Sequence, residues 1–568
     1  MLFRPVGLCV KPRETLFERA RQWLREHLED GGVKLDVFGD TISEALPEDR
    51  DLHDVDIMIV TPDIKESLDE FLDLSPDHVK AIRDREAGVR AAAELPSPST
   101  GVGTFSGLQT VINGNADVFH TGRPHNNHGP PVALFNPILG LLAHRLSHVD
   151  KDDPAIRPDH HESKWAHEFI HASLECYDSE AARMTAIRRF IESLHPEVHW
   201  KEPMNKVEPD VLLGALTHFP SGVGGIKNEA GLSGDASMQA CLSYAKIVTE
   251  NKAATMKIRK FSNCPAIVFG LMGDVVEIGI TVYTDGAYSD CVFSSGRMRL
   301  GYHQNAQVLR IARAFKAVKL ALAQLDLFYE QLNDVPRVSV QHLFPSPLPV
   351  PSWDGEMPSL TFTHRMSCSG KPFITPTSPV DRQIGMYLGT MLKANPSASP
   401  DAAEERIEVV IKFTSEYNQA AHRLVAQAGF APALHACVPV CGDVQMVVMD
   451  RVHGKMAWCA ERKQELLPRT VYDDVKSAIK LLHDNNMVFG DLRSPNVMCV
   501  PKSEPEGRMG AMLVDFDWAG EAGRTRYPAV FNDGLPDFWA TGAERCGLMY
   551  PEHDLHLLEK FEALCHSG

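Results

Sequence analysis

The stretches VFGDLRSPN (residues 488–496) and LVDFDWAG (residues 513–520) decide the fold that the C-terminal third of the chain is expected to adopt. Asp491 and Asn496 have the spacing of a catalytic aspartate and a metal-binding asparagine on one loop. Asp515 follows in an apolar run that is typical of a short buried strand. Phosphoryl transfer requires a carboxylate that orients the acceptor hydroxyl, and oxygen ligands that hold metal ions on the phosphates. We therefore predict that Asp491 is the catalytic carboxylate and that Asn496 and Asp515 bind Mg²⁺.

A further phosphate-handling residue is expected upstream, in IEVVIKF (residues 407–413). Its alternation of β-branched residues around one lysine predicts a half-buried strand that presents Lys412 to a cleft. Lys412 is the candidate catalytic clamp on the phosphates of ATP, and Arg493 is placed with it among the ATP-binding residues. His483 precedes Asp491, Asn496 and the DFD segment along the chain, and together they form an ordered set of motif residues. The sequence thus predicts an ATP- and Mg²⁺-dependent phosphotransferase whose acceptor is a protein or a small molecule.

Three features depart from the usual arrangement of such enzymes. No glycine-rich loop comes directly before the lysine strand. The helix expected at YNQAAHRLVAQAG (residues 417–429) contains no acidic residue, so the usual lysine–glutamate ion pair is either missing or rebuilt with Gln427 or Glu416. Gly490 stands where an arginine usually precedes the catalytic aspartate, which predicts that activity does not require a phosphate on the activation loop.

The central part of the chain carries another constellation, in EPDVLL and IKNEAG. Asp210 is followed by Lys227 and Glu229, which we place two residues apart on one strand. A carboxylate followed by an acidic-x-Lys strand is typical of PD-(D/E)XK nucleases, in which carboxylates hold a divalent metal and the lysine steadies the attacking hydroxide. Gly225 occupies the position of the expected acidic residue. Because alternate strand residues share a face, Glu229 is expected to replace the missing metal ligand, and a glutamate introduced at Gly225 is expected to point to the same face.

The N-terminal residues read as a separate module with strand, helix, strand, strand order, which is compatible with a ubiquitin-like β-grasp that binds regulatory or host-cell proteins. The rival interpretation is a nucleotidyltransferase site formed by Gly39 with Asp54 and Asp56, because carboxylates two apart on a strand face the same way.

Composition excludes some classes of protein. The 568-residue chain has a formal net charge of −18, which argues against a broadly basic nucleic-acid surface, although a local DNA-binding groove stays open. Its twelve cysteines show no disulfide-like spacing, so reduced intracellular thiols are expected. No export signal or apolar segment long enough to span a membrane is evident, so we expect no membrane partner.

One further motif matches H-E-x-x-H, at His167, Glu168 and His171. Two histidines one helical turn apart can bind zinc with the glutamate as base, and Glu192 is a candidate third ligand. The flanking sequence is typical of ordinary amphipathic helices, so a zinc protease is the minor alternative. The nearby pair of His125 and His128 is expected to lie in a solvated loop.

The motifs "GDLRSPN", "DFDWAG" and "RYP" resemble the minimal kinase-like domains of fungal proteins. With "EPDVLL", "IKNEAG", "DASMQACLSY" and "GRPHNNHGPP", the whole chain resembles Crinkler-type effectors. The resemblance implies an effector or toxin that acts in the cytoplasm or nucleus of a target cell, delivered there without a conventional signal peptide. The alternatives are a DNA-cleaving effector with a regulatory kinase-like domain and a pseudoenzyme scaffold.

The predicted fold class is multidomain α+β. The predicted parts are a ubiquitin-like header (1–62), a connector (63–155), a restriction-endonuclease-like α/β core (156–335), a linker (336–357) and a compact protein-kinase-like domain (358–568).

Overall fold

The computed structural model describes residues 75–566 apart from short gaps, together with three short strands nearer the N-terminus. The gaps are residues 115–116, 218, 230–233, 303, 333–338, 368, 377, 394–404, 503–506 and 532–537. The three strands are β1 Leu2–Arg4, β2 Val33–Lys34 and β3 Met58–Ile59, and β1 pairs antiparallel with both of the others. The rest of the predicted header, including Gly39, Asp54 and Asp56, lies outside the described residues.

The helices are distributed over the whole described part of the chain. They are α1 Pro76–Ala93, α2 Pro98–Gly103, α3 Phe105–Gly114, α4 Pro137–Ser147, α5 His160–Leu174, α6 Glu180–Glu192, α7 Ala236–Val248, α8 Ala253–Phe261, α9 Gln304–Gln331, α10 Pro379–Gln383, α11 Gln419–Gln427, α12 Ala457–Lys463, α13 Arg469–Asp484 and α14 Pro551–Glu562.

The remaining strands fall into a central group and a C-terminal group. They are β4 Phe119–His120, β5 Val198–Trp200, β6 Val211–Leu213, β7 Gly222–Lys227, β8 Ala266–Met272, β9 Val275–Tyr283, β10 Ala287–Ser294, β11 Leu360–Met366, β12 Pro372–Phe373, β13 Met386–Leu392, β14 Arg406–Thr414, β15 Leu434–Val440, β16 Val444–Asp450, β17 Lys455–Met456, β18 Met487–Val488, β19 Val497–Pro501, β20 Met509–Leu513 and β21 Gly520–Glu521.

Side-chain caps fix the starts of the helices that border the functional regions. The Asn136 side chain accepts hydrogen bonds from the first turn of α4, and Ser179 caps α6 directly before Glu180. Asp159 and Glu162 form a complete capping box at the start of α5. These caps satisfy backbone donors that a helix leaves unpaired, so the sequence defines where each helix begins.

The central sheet has seven strands in the order β4-β10-β9-β8-β7-β6-β5. Strands β5, β6 and β7 form an antiparallel meander, and β8 pairs in parallel with β7 after a crossover through α7 and α8. Helix α7 packs on one face of this sheet, whereas α5, α6 and α9 pack on the other. The carboxyl end of β7, where Lys227 lies, is therefore bordered by helices on both faces.

The segment predicted as a connector is folded into this central unit where it is described. Strand β4 pairs in parallel with β10, and Val89, Val111 and Phe119 are buried in the same core as α7. The Pro/Ser/Gly-rich stretch forms α2 because Gly101 allows close packing, since a Cβ atom there would lie 2.7 Å from Leu242 Cδ2. Small residues here serve helix packing and not a loose linker.

The C-terminal part begins with a sheet in the order β12-β11-β13-β14-β16-β15, with every neighbouring pair antiparallel. Helix α11 connects β14 to β15. Beyond this sheet lies a helical subdomain built on α13 and α14, with two small sheets formed by β17, β19 and β20 and by β18 and β21. The fold as a whole is therefore mixed α+β, as predicted.

The central and C-terminal parts share a continuous apolar contact. Leu134 and Leu139, from the central part, belong to the same buried cluster as Phe362 and Tyr387 of the C-terminal sheet. Ser346 N–H donates to the Leu134 carbonyl at 2.7 Å. The C-terminal sheet thus packs against the central unit through a hydrophobic core as well as polar contacts.

Within the residues the structure describes, no helix combines the length and the apolar character that crossing a bilayer demands. The described cysteines are all free thiols.

Candidate functional site

A lysine and two aspartates meet in the C-terminal cleft. Lys412 lies on β14, as predicted, and its Nζ donates to Asp515 Oδ1 and to Asp517 Oδ1, at 2.7 Å each. Thr414 Oγ1 donates to the second oxygen of Asp517 at 2.8 Å. Asp515 does not lie within a strand, because β20 ends at Leu513 and Asp515 adopts a φ of +72°. This left-handed turn directs two carboxylates that are two residues apart toward the same ammonium group.

The pKa values of the three charged side chains in this cluster are shifted. Burial acts to lower the pKa of Lys412, but the two carboxylates outweigh it, so its pKa is raised and the lysine stays charged. Burial also opposes ionisation of Asp515, but Lys412 lowers its pKa below the ordinary value. Burial, together with the negative charge of Asp515, raises the pKa of Asp517 to about 7. Near neutral pH the cluster therefore has one firmly charged carboxylate and one that titrates.

Asp491 is buried at the base of the same cleft. Arg493 binds both of its oxygens, through Nε and through Nη2, the latter at 2.6 Å. Asn496 Nδ2 donates to the carbonyl and to Oδ2 of Asp491, at 2.9 Å each, which directs the amide oxygen of Asn496 away from Asp491. Burial raises the pKa of Asp491 above its ordinary value. The structure brings Asp491, Arg493 and Asn496 together as one hydrogen-bonded unit.

The loop that carries Asp491 is held from below by a fully buried aspartate on α14. Asp554 accepts from the backbone N–H groups of Phe489 and Gly490, at 2.8 Å each, and its Oδ2 also lies 3.0 Å from His483 Nε2. Gly490 has a φ of +79°, and a Cβ atom there would lie 2.8 Å from Met549 Sδ. The position is therefore restricted to glycine by backbone conformation and packing.

Aromatic side chains pack the chain between the two aspartates and directly after them. Phe516 is buried and stacks on His422 of α11, with ring centroids 4.7 Å apart. Directly after Asp517, Trp518 begins an aromatic cluster with Tyr527, Phe531 and Trp539. These apolar contacts pack the described residues that follow Asp517 against one another.

The central constellation is arranged differently from the prediction. Asp210 is buried just before β6, and its Oδ2 accepts from Ile226 N–H at 2.8 Å. Lys227, at the end of β7, reaches Glu180 of α6 at 3.4 Å. Burial raises the pKa of Asp210; nearby, Lys227 acts to lower it and Glu180 to raise it further. Asp210, Lys227 and Glu180 therefore form one electrostatic cluster.

Glu229 does not share the strand face expected of it. Strand β7 ends at Lys227, so Glu229 lies in the turn that follows. There its Oε1 lies 3.4 Å from Arg183, whose guanidinium is almost completely buried and also donates to Asn228 Oδ1 and to the carbonyls of Ser173, Glu175 and Gly273. A buried guanidinium needs a nearby negative charge. Glu229 is thus engaged in stabilising this turn and is not directed at Asp210.

Gly225 is required by helix packing. A Cβ atom there would lie 2.3 Å from the backbone oxygen of Ala236, at the start of α7. A Cβ atom at Gly270, its neighbour on β8, would lie 2.3 Å from Ser237 Oγ. A glutamate at Gly225 would clash with the helix backbone, so the expectation that this substitution supplies a metal ligand is wrong.

The H-E-x-x-H motif lies on the outer face of α5. His167 and His171 are exposed, and Glu168 pairs with Arg189 at 3.0 Å. Glu192 accepts from Trp200 Nε1 at 3.2 Å. Among the described residues, no third metal-binding side chain lies with His167 and His171 in reach of one ion.

Sequence reasoning missed three residues that complete these sites. Asp517 was visible in the DFD motif but had no assigned role, although it takes the lysine pairing expected of Gln427 or Glu416. Asp554 and Glu180 are distant in sequence from the groups they contact, so only the fold reveals them. Nothing in the sequence indicates which carboxylate of α14 holds the loop that carries Asp491.

Comparison with known proteins gives little further information. No family model matches the chain, and no curated protein is similar to it. Among solved structures, the PK-1 kinase of Cydia pomonella granulovirus aligns at 18% sequence identity and a TM-score of 0.23, over 32% of this chain. The alignment spans 63% of the length of that kinase.

Proposed function

We propose that the C-terminal part of the chain is an ATP- and Mg²⁺-dependent phosphotransferase with a kinase-like fold. The observation that carries this proposal is the convergence of Lys412, Asp515 and Asp517 in one cleft, with Asp491 and Asn496 joined on the neighbouring loop. The sheet supports it as well: β11, β13, β14, β16 and β15 are adjacent in this order, and a helix follows the lysine strand, as in the small lobe of kinases.

The side chains fit Mg²⁺ on nucleotide phosphates. Asp515 and the outward-facing amide oxygen of Asn496 are hard oxygen ligands of the kind that Mg²⁺ prefers. When bound, Mg²⁺ neutralises phosphate charge and aligns the transferred group. Lys412, already held by two carboxylates, is positioned to exchange one of them for a phosphate oxygen.

Asp491 is suited to orient the acceptor hydroxyl and receive its proton. Its raised pKa increases its proton affinity, and the paired contacts from Arg493 fix the carboxylate plane. The aromatic cluster after Asp517 supports an active segment that needs no phosphate to be ordered, which agrees with Gly490 in place of the usual arginine.

The test is transfer of the γ-phosphate of labelled ATP by the full-length protein, to itself or to added protein and small-molecule acceptors. Wild type is expected to turn over ATP, and Asp491→Asn is expected to bind Mg·ATP but not to transfer phosphate. Binding without turnover in the wild type would favour the pseudoenzyme scaffold, and absence of binding would contradict the proposal. Phosphatase treatment should leave the rate unchanged.

For the central part we propose, as a second function, metal-dependent cleavage of DNA. The β5-β6-β7 meander, the α7 crossover and parallel β8 support a restriction-endonuclease-like core, with Asp210 directly before β6 and Lys227 at the end of β7. The specific observation is that Glu180 supplies a carboxylate to this cluster from α6. Mn²⁺-dependent nicking of a plasmid, lost in Asp210→Asn, is the test.

The biological setting remains a proposal based on sequence resemblance. A Crinkler-type effector that acts on DNA or on signalling proteins in a target cell would use both functions, with the N-terminal header binding a partner protein.

A further inference from the structure

The contact between the central unit and the C-terminal sheet includes the hairpin turn between β15 and β16, which packs on α4 and on the residues just before it. A Cβ atom at Gly140 would lie 3.4 Å from Cys441 Cβ, and one at Gly442 would lie 2.9 Å from Ala133 Cβ. Asp443, the last residue of this turn, has a φ of +57°. The turn thus has a fixed position against α4, and Asp443 is presented to the last turn of that helix.

Two histidines lie at this end of α4. His144 and His148 are four residues apart and share one helix face, and their ring centroids are 4.5 Å apart. One ring nitrogen from each histidine and one carboxylate oxygen of Asp443 all lie within 4.8 Å of one another. Zn²⁺ binds nitrogen and oxygen ligands at about 2.0–2.2 Å, so two ligands of one ion lie at most about 4.4 Å apart, and these three groups need at most a small closing movement to share an ion.

The hydrogen bond of His148 selects the ring nitrogen that can bind a metal. His148 Nδ1 lies 3.0 Å from the carbonyl oxygen of His144. Because a carbonyl can only accept, Nδ1 donates this bond, with Ser147 Oγ also 3.0 Å from Nδ1, and Nε2 is the nitrogen left to bind a metal ion. A histidine whose second ring nitrogen is fixed by a backbone carbonyl is the usual form of a zinc ligand.

His144 provides an independent observation. Its Nδ1 is shielded from solvent and has no hydrogen-bond partner in the described structure, which is costly for a buried polar atom. A metal ion bound at this nitrogen would satisfy it.

We propose that His144, His148 and Asp443 form a Zn²⁺ site that joins the central unit to the C-terminal sheet. Two nitrogen ligands and one carboxylate suit zinc, with water in the fourth position of the tetrahedron. The ligands come from two parts of the chain, so the ion cross-links α4 to the β15–β16 turn. The site is separate from the residues proposed for phosphotransfer and DNA cleavage, and it does not depend on either activity.

The test is zinc binding by the full-length protein after removal of metals with a chelator. The wild type is dialysed against ZnCl₂ and then against metal-free buffer. Inductively coupled plasma mass spectrometry is expected to find one zinc retained per chain. Addition of ZnCl₂ is expected to raise its thermal midpoint. Co²⁺ in place of zinc is expected to give the strong visible absorption of tetrahedral coordination.

Asp443→Asn and His148→Ala are each expected to lose the bound zinc and the thermal shift. Asparagine tolerates the positive φ at position 443, so the first variant should fold like the wild type without zinc. His167→Ala, in the exposed H-E-x-x-H motif, is the matched control and should retain one zinc. A wild type that retains no zinc would overturn the proposal. So would variants Asp443→Asn and His148→Ala that both retain one zinc per chain. Loss of zinc only in His167→Ala would place the ion at the exposed motif and would also overturn the proposal.

Discussion

The C-terminal site and the central site differ in which oppositely charged side chains form ion pairs. In the C-terminal cleft, the side chains predicted for phosphotransfer contact one another directly, and Asp515 pairs with Lys412 at 2.7 Å. In the central site, Asp210 and Lys227 stay in one cluster, but the predicted third member, Glu229, pairs with buried Arg183. The difference lies in the partner: Asp515 pairs with the lysine of its own predicted site, whereas Glu229 pairs with a buried arginine outside the predicted set.

The largest expected effect concerns the lysine of the C-terminal site. Lys412→Met should lower the rate of phosphotransfer by about 100- to 1000-fold, because it removes a preorganised cation from the phosphates and leaves Asp515 and Asp517 to repel each other. Rates are measured with labelled ATP at saturating acceptor. Arg423→Met, a cation of α11 outside the cluster, is the control. A variant with wild-type rate would exclude Lys412 from the reaction.

The support that α14 gives to the loop carrying Asp491 predicts a large change in stability. Asp554→Ala leaves the N–H groups of Phe489 and Gly490 without their acceptor, and each orphaned buried donor costs about 1–3 kcal/mol. We expect the free energy of unfolding of the C-terminal part to fall by about 3 kcal/mol. Thermal unfolding followed by tryptophan fluorescence measures it. Glu559→Ala, at an exposed position on the same helix, should have little effect, and equal midpoints for the two variants would contradict the bracing role.

The central site gives a direct test of which glutamate is a ligand. Glu180→Gln should weaken Mn²⁺ binding by about 10- to 100-fold, the range found when a group that positions or binds a metal is changed. Glu229→Gln should leave Mn²⁺ affinity unchanged, since that side chain pairs with Arg183. Calorimetric titration with MnCl₂ compares the two. The reverse pattern would restore the ligand set predicted from the sequence.

The smallest expected effect is a dependence of stability on pH through Asp517. Because its pKa is raised to about 7 in the folded protein, the folded state binds more protons than the unfolded chain above about pH 4, the ordinary range of an aspartate. The stability contributed by this group is therefore present at low pH and is lost as pH rises toward 7.

Asp517→Asn removes this titration, so the variant should gain stability relative to the wild type between pH 5 and pH 8. Below pH 7 the difference between the two proteins is expected to change by about 1 kcal/mol per pH unit, the equivalent of one pKa unit. Thermal midpoints of both proteins across this range provide the measurement. A difference that does not change with pH would mean that Asp517 is ionised throughout.

Sequence patterns predicted those features whose structure is determined by residues close together along the chain. The strand that carries Lys412 and the loop spacing of Asp491 and Asn496 follow from short-range alternation and turn geometry. Contacts between distant elements were not predictable in this way. Glu180 meets Lys227 only because α6 crosses the end of β7, and Gly225 had the appearance of a missing ligand until the packing of α7 explained it.

The segment predicted as a connector shows that contacts between distant elements also decide which residues belong to a domain. Its proline, serine and glycine content is typical of loops, but Gly101 and its neighbours allow a helix to approach Leu242 closely. Composition cannot distinguish a glycine that provides flexibility from one that permits close packing, because the difference lies in what packs against it.

The most direct test of the central claim is calorimetric titration of the full-length protein with Mg·ATP, comparing wild type with Asp515→Asn. The account predicts saturable, magnesium-dependent binding to the wild type, and a loss of affinity of at least about tenfold in Asp515→Asn, because the variant removes a charged Mg²⁺ ligand. Glu559→Gln should bind like the wild type. Absence of binding to the wild type at millimolar Mg·ATP, or equal affinity in Asp515→Asn, would contradict the assignment of this cleft as an ATP site.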